Sequence, residues 1–520
     1  MKSLTPNHMA FISNLPLAHH EIVRLHGQRS ALKYPATGES VTHAELAEMA
    51  DRIAATIHSR GIRQGEVVAF FHDKSPAAFA AMLACLRLGV LYANLDPVSP
   101  WERLRKILDS CQPRLIINAF ESLPHEASLK EADIAEILHL RGLEHAATEL
   151  PDIKSISGNT PAYIMFTSGS TGMPKGAVIS HANLLWFTSW GRDRFQITQD
   201  DILTNTNPIY FDNSVFDFYI SIFSGATLVP INSVQARDAR LLLSLLTQAC
   251  CTIWFSVPSL LVYLLTTRSL TTSDFSTVRK IIFGGEGFPK SKLKQLFDLF
   301  GHRCELENVY GPTECTCICS AHTISAADFE DMQNLATLGP IAQNFDLEIL
   351  ALDENDPDFG EPFLRGPQVG LGYYRDTERT AASFTQNPRH NDYTDIGYRT
   401  GDLVRRDAHG RLHFKGRLDL QIKHLGYRIE LEEIEAALGA LPDMRECAAI
   451  YQRLGEGLGQ IIGFVAMSPT RTSHELIGEI ANLVPSYMVP RKITILESLP
   501  KNANGKIDRV ALQSLASSHS

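Results

Sequence analysis

At 520 residues the chain is too long for one compact core and is expected to fold as two or more domains. Hydrophobic residues make up 44% and charged residues 20%, as in soluble globular proteins, and a formal net charge of −10 argues against a nucleic acid or an anionic membrane as partner. No stretch approaches the roughly 20 apolar residues that span a bilayer, and the first 21 residues hold no continuous apolar core with a small-residue cleavage site, so a cytoplasmic protein is expected.

In chain order, THAELAEMADRIAATIHSRG (42–61) reads as an amphipathic helix closed by Gly61, VVAFF (67–71) as a buried strand, and AAFAAMLACLRLG (77–89) as a second helix ending at Gly89. The alternation recurs through 161–180, 200–260 and 278–310. Repeated strand–helix units of this kind predict α/β layers with largely parallel sheets. After about residue 400 the texture changes. RLHFKGRLDLQIKHLGYRIELEEIEAALGAL reads as a hairpin, a tight turn at Gly426 and an acidic-faced helix from about Glu430. A boundary near Arg417–Asp419 divides the chain into a large domain, 1–417, and a small α+β domain, 418–520.

The nine cysteines are scattered and odd in number, which argues for a reducing compartment rather than a disulfide framework. Cys315, Cys317 and Cys319 invite a metal reading. Their alternation instead predicts one face of a β-strand, and no CxxC pair or nearby His completes a tetrahedral site.

The strongest local signal is AYIMFTSGSTGMPKGAVISHANL (162–184). An apolar strand runs into Thr167, Ser168, Gly169, Ser170, Thr171 and Gly172, followed by Pro174, Lys175 and Gly176. Glycines allow positive φ and close backbone approach, successive amides form an anion-binding nest, hydroxyls add donors, and Lys175 supplies a cation for a β- or γ-phosphate. The spacing differs from GxxxxGK[ST], so a P-loop NTPase is not indicated. A flexible Ser/Gly linker is the bland alternative, but a linker need not follow a buried strand or end in Pro-Lys-Gly.

Further segments are LRLGVLYANLDPVSPWERL (86–104), YFDNSVFD (210–217), FGGEG (283–287), NVYGPTE (308–314), YRTGDL (398–403), GRLDLQIKHLGYRIELEEIE (416–435) and PKNANGKID (500–508). With the Ser/Thr/Gly loop, and in this order, they resemble the adenylate-forming superfamily of acyl-CoA synthetases, luciferases and peptide synthetase adenylation domains over nearly the whole chain. The resemblance implies an enzyme that uses ATP and Mg2+ to activate a carboxylic acid as its acyl-adenylate. By residue type, Tyr310 offers a ring to adenine and Asn308 polar atoms to its edge. Glu314 is a hard oxygen ligand for magnesium, though alone it reads as a solvated turn residue. Asp402 can accept both ribose hydroxyls. The nucleotide site is completed by Gly285 and Glu286 of FGGEG and by Gly311 and Thr313 of NVYGPTE. The resemblance adds Arg417 on the ribose and Asp419 as the hinge of a mobile small domain. It places Lys506 across the substrate carboxylate, the ribose and the α-phosphate, and it makes Thr171, Glu314 and Lys506 the residues of the chemical step. A rotation of the small domain then withdraws Lys506, brings the Gly426 region in, and lets a phosphopantetheine thiol displace AMP.

Amino-acid-activating relatives carry an aspartate at the position of Asp212, where it pairs with the substrate ammonium. A buried carboxylate needs such a cation, and the ammonium contact is the reading favoured over a helix N-cap at Asp212. The remaining pocket positions carried over are Asn213, Phe216, Phe255, Ile282, Gly284, Val309, Cys317 and Ile318. That wall is apolar, with no acid or base beyond Asp212 and Lys506, and fits an aliphatic amino acid such as isoleucine, valine or leucine. SVFD also resembles D-alanyl carrier protein ligases, and a β-amino acid or an acyl- or aryl-CoA ligase stays open. No GG[HD]S-type serine follows PKNANGKID, so loading onto a separate carrier protein is expected.

Overall fold

The computed structural model describes residues 12–141, 149–332, 335–455, 458–467, 471–502 and 506–518. Two mostly parallel sheets organise the first 320 residues. One has eight strands, and its centre runs Glu305–Tyr310, Lys280–Gly284, Ile253–Ser256, Ile202–Asn205, Thr227–Pro230 and Ser30–Tyr34 in parallel. Antiparallel Ser320–Thr323 and Glu39–Thr42 close its edges. The other has seven strands. Pro161–Thr167, Leu91–Leu95, Val67–Phe71, Leu115–Asn118 and Glu136–His139 run in parallel, with Lys175–Ser180 and Gly372–Tyr373 added antiparallel.

The central strands are buried at every residue, Val67–Phe71, Leu91–Leu95 and Lys280–Gly284 among them, as sheets covered on both faces require. The covering helices form where the periodicity places them. Helix His43–Ser59 starts on a Thr42–Glu45 capping box and is followed by Gly61 at φ +80°. Helix Pro76–Leu88 starts on a Ser75 cap and stops at Gly89 in the left-handed region. Between the sheets the helices bury one continuous core, in which the rings of Phe79 and Phe218 stack 5.5 Å apart.

Beyond residue 340 the alternation gives way to a third, antiparallel sheet of Asp346–Ala351, Phe359–Arg365, Phe384–Gln386, Ile396–Arg399, Asp402–Arg406 and Leu412–Arg417. The next strand, Gln421–His424, pairs with Tyr427–Glu430 as a free-standing hairpin. Helix Leu431–Gly439 follows, then the strands Glu446–Gly455, Leu458–Ala466 and Lys492–Leu496 with helices Ser473–Ile480 and Arg509–Ser518. This last part packs around its own core, including Ile434, Leu438, Ile461, Val465 and Leu476.

The cysteine segment is not a strand. Thr313–Cys315 forms a 3-10 turn, Thr316 and Cys317 both take positive φ, and the strand begins only at Ser320. Two successive left-handed residues reverse the chain and end the alternation on which the strand reading depends. All three cysteines are buried, and no group of three His, Cys, Asp or Glu suited to a metal occurs among the described residues. No helix among the described residues is long and apolar enough to cross a membrane.

Candidate active site

The parallel strands of the eight-stranded sheet end at one cleft, as crevices in open α/β folds do. Gly285 follows strand Lys280–Gly284, Gly311 and Thr313 follow Glu305–Tyr310, and all three line it with Asp212, Asp402 and Arg417.

At one end the Tyr310 hydroxyl donates to Asp402 Oδ2 (2.5 Å), and Arg417 pairs with both Asp402 and Asp419. The Lys423 ammonium lies 5.4 Å from the Tyr310 ring centroid, so a flat ring stacked on that face displaces it. Asn308 does not line the cleft: its amide donates to the Thr337 carbonyl (2.9 Å).

The Ser/Thr/Gly loop does not line this cleft but meets the hairpin that enters it. It connects two antiparallel strands, Pro161–Thr167 and Lys175–Ser180, so Lys175 starts a strand. Gly172 takes φ +74° and its carbonyl accepts from Lys106 Nζ (2.9 Å), while a β-carbon on Gly169 would collide with the Met173 carbonyl. Ser170 and Thr171 are exposed, and the Thr171 hydroxyl is held by Arg379. Ser168 Oγ donates to the Arg428 carbonyl (2.8 Å) and accepts the Glu430 amide (3.1 Å).

Lys175 Nζ stands 3.4 Å from Glu430 and 3.9 Å from Glu314. Glu314 is fully buried and accepts from the Tyr373 hydroxyl and from Arg428 Nη1, each at 2.7 Å. Burial works against its ionised form, but Arg428, Lys175 and these two hydrogen bonds prevail and bring its pKa to about 2. A permanently ionised carboxylate beside a phosphate loop suits magnesium, which is commonly held by one or two carboxylates plus substrate phosphates.

At the far end, Asp212 heads the short helix Asn213–Val215 without capping it. Its Oδ2 instead accepts from Thr313 Oγ1 (2.6 Å). Burial raises its pKa, against the opposing Thr313 hydrogen bond and Arg428 charge, so the carboxyl gains from a cationic partner. Asn213, Val309, Cys317 and Ile318 line the cleft here. Phe216, Phe255, Ile282 and Gly284 do not. The first two pack edge to face at 4.8 Å and are fully buried behind the wall with Ile282, and a β-carbon on Gly284 would sit 2.5 Å from Val309 Cγ2.

Two expectations need correction. Lys506 is exposed on its own turn, its amide bonded to Asn502 Oδ1 (3.1 Å), and does not close the pocket. Nor are Asp212 and Lys506 the sole charges available to the pocket, because Lys423 and Arg428 reach in from the small domain. The two are paired across the hairpin and so share one face. Gly426 at the tip, φ +80°, donates its amide to Glu286 Oε2 (2.9 Å), whose other oxygen accepts the Ser259 amide (2.7 Å). The sequence signal for Lys423 and Arg428 is two cations flanking a glycine turn at equal spacing from the hairpin axis.

Residues 20–374 match the family described as AMP-binding enzyme, and residues 433–506 match the AMP-binding enzyme C-terminal domain. The chain belongs to the AMP-binding enzyme family, whose adenylate-forming members use ATP with Mg2+. It is 34% identical over 475 residues to an L-proline--[L-prolyl-carrier protein] ligase of Pseudomonas fluorescens, covering 88% of this chain and 91% of that one. A D-alanine--D-alanyl carrier protein ligase of Bacillus licheniformis is 30% identical over 502 residues, 94% and 96% of the two chains. A dimodular nonribosomal peptide synthase of Bacillus subtilis is 32% identical over 482 residues, 91% of this chain, but the chain spans only 20% of its length. In fold the chain is similar to holo-PA1221, a peptide synthetase protein with adenylation and carrier domains (TM-score 0.83, 24% identity, 96% and 84% covered). It is similar too to the Vibrio cholerae adenylation domain AlmE, solved with glycyl-adenosine-5'-phosphate (TM-score 0.81, 23% identity, 98% and 99% covered).

Proposed function

We propose that the chain activates an amino acid as its aminoacyl-adenylate and passes the acyl group to the phosphopantetheine thiol of a separate carrier protein. In the first step a carboxylate oxygen attacks the α-phosphorus of ATP and pyrophosphate leaves. In the second the thiol sulfur attacks the acyl carbonyl, AMP leaves and the thiol proton passes to solvent. The observation that carries the amino acid reading is Asp212, a half-buried residue whose carboxyl is bonded to Thr313 and has no cation in hydrogen-bond contact among the described residues. An α-ammonium supplies that cation.

The large domain, through Arg417, supplies the remaining roles. The 167–172 loop and Lys175 hold the triphosphate, Glu314 the magnesium, Tyr310 the adenine, and Asp402 with Arg417 the ribose. Gly285, Glu286, Gly311 and Thr313 shape the cleft around them. Lys506 acts on the α-phosphate only after the small domain has turned about Asp419, because here its place is taken by Arg428 and Lys423.

The substrate we favour is aliphatic, isoleucine, valine or leucine, since Val309, Cys317 and Ile318 give an uncharged wall. A smaller acid, proline, D-alanine or a β-amino acid, is the second reading. The carrier protein ligase relatives favour it, as does the edge-to-face Phe216–Phe255 pair that shuts off the space behind that wall. Mass spectrometry of aminoacyl-AMP formed from a mixture of these acids ranks them. Isoleucine-sized products decide for the first reading, and proline or alanine adenylates alone decide against it.

A further inference from the structure

The helix Trp101–Cys111 carries Arg103 in its first turn, where the helix dipole disfavours a cation. Its guanidinium crosses to the small domain and pairs with Glu433, which stands in the first turn of helix Leu431–Gly439, where the dipole favours an anion. The two side chains are only 7% and 6% exposed, and Glu433 Oε2 has no hydrogen-bond partner among the described residues. Beside them Tyr427 and Tyr487 of the small domain stack at 3.8 Å and 9°, and Tyr427 packs edge to face on Phe211 of the large domain at 4.8 Å.

We propose that Arg103 and Glu433 are positioning residues for thiol transfer, forming a clasp that docks the small domain with its hairpin in the cleft. The inference rests on the two-step reading above. Neither residue lines the cleft, and the helix dipole disfavours the cation where it stands while favouring the anion that meets it. The two charges pair only across the contact between the domains. Buried ion pairs return little net stability, since desolvation offsets attraction, while their geometry is exacting. Such a contact selects one docked orientation without making it permanent. The orientation it selects holds Gly426 on Glu286, Glu430 on Ser168 and Arg428 on Glu314. Adenylation, which requires Lys506 at the α-phosphate, proceeds with the clasp open.

The test uses the full chain with Glu433→Gln, Arg103→Gln and the exchanged pair Arg103→Glu/Glu433→Arg. Amide hydrogen exchange is followed over residues 421–432, and both half-reactions are measured: amino-acid-dependent ATP–pyrophosphate exchange, and transfer to free pantetheine. The single variants are expected to speed exchange of the hairpin amides at least tenfold, to leave pyrophosphate exchange within about twofold, and to lower kcat for pantetheine at least tenfold at unchanged KM. The exchanged pair recovers part of both losses. Unchanged amide exchange in the single variants overturns the clasp, as does an equal fall of both half-reactions, which marks a structural role. If the unaltered chain shows no pyrophosphate exchange with any amino acid, the adenylation reading fails instead, and the amide exchange still judges the docking contact.

Discussion

At the acid end of the cleft Asp212, Asn213, Val309, Thr313, Cys317 and Ile318 come from the large domain, with Lys423 and Arg428 reaching in from the small one. At the phosphate end Glu314 and Lys175 come from the large domain, while Arg428 and Glu430 arrive from the small one. The first end is walled mainly by the large domain and backed by packing such as Phe216 on Phe255. The second is assembled from charges of both domains, and on the proposed reading it changes composition when the small one turns. Selection of the acid therefore belongs to the preformed end, and timing to the assembled one. Electrostatics make the contrast sharper: desolvation outweighs the Thr313 hydrogen bond and the Arg428 charge at Asp212 and raises its pKa, whereas fully buried Glu314 is held at about 2 by Arg428 and Lys175.

The largest expected effect breaks the assembled end outright. Removing divalent cations with EDTA abolishes ATP–pyrophosphate exchange and Mg2+ restores it, because without the metal the Glu314 carboxylate faces the triphosphate as like charge. Exchange that persists without divalent cations removes Glu314 from the proposed site. Next, Lys506→Ala lowers adenylation by ~10²–10³, the usual cost of losing a preorganised charge, with amino acid KM little changed. An unaltered rate means that the small domain delivers no cation to this step.

At the preformed end, Asp212→Ala weakens kcat/KM for the amino acid by about 2 kcal/mol or more, ~30-fold, since it strips a buried ammonium of its partner. ATP KM is expected to stay within about twofold; an equal loss for both substrates signals a collapsed cleft instead. The smallest effect is a pH dependence. Burial raises the Asp212 pKa above its ordinary 3.8, so the ionised form is lost as pH falls through that raised value. Amino acid KM therefore rises on acidification, about tenfold per pH unit below it, and is flat above. In Asp212→Asn this acid limb disappears.

The preformed end is the more legible in the sequence. Helix stops at Gly61 and Gly89, the continuously apolar strands and the glycine-rich loop are local patterns, and they appear where periodicity puts them. Asp212 stands out in the sequence with a helix cap as its alternative role, and its carboxylate makes no cap hydrogen bond but accepts from Thr313. Phe216, Phe255 and Ile282, expected on the pocket surface, lie one layer behind it, because edge-to-face packing depends on residues far apart in the chain. The cysteine run reads as a strand because alternation alone cannot reveal two left-handed residues at Thr316 and Cys317. The antiparallel sheet after residue 340 carries shorter, half-exposed strands whose pattern is weaker. Least legible is the small domain's position. Lys423 and Arg428 look like ordinary hairpin cations until the docking contact between Arg103 and Glu433 turns them into the cleft, and Lys506 gives no sign of which state is populated.

The most direct test of the central claim is ATP–pyrophosphate exchange by the purified chain, run on amino acids beside the matching acids that lack the amine. Isoleucine against 3-methylpentanoate, valine against 3-methylbutanoate and alanine against propionate form the informative pairs. The account predicts exchange with amine-bearing acids and none above background with their partners. Exchange confined to the acids without an amine would contradict it.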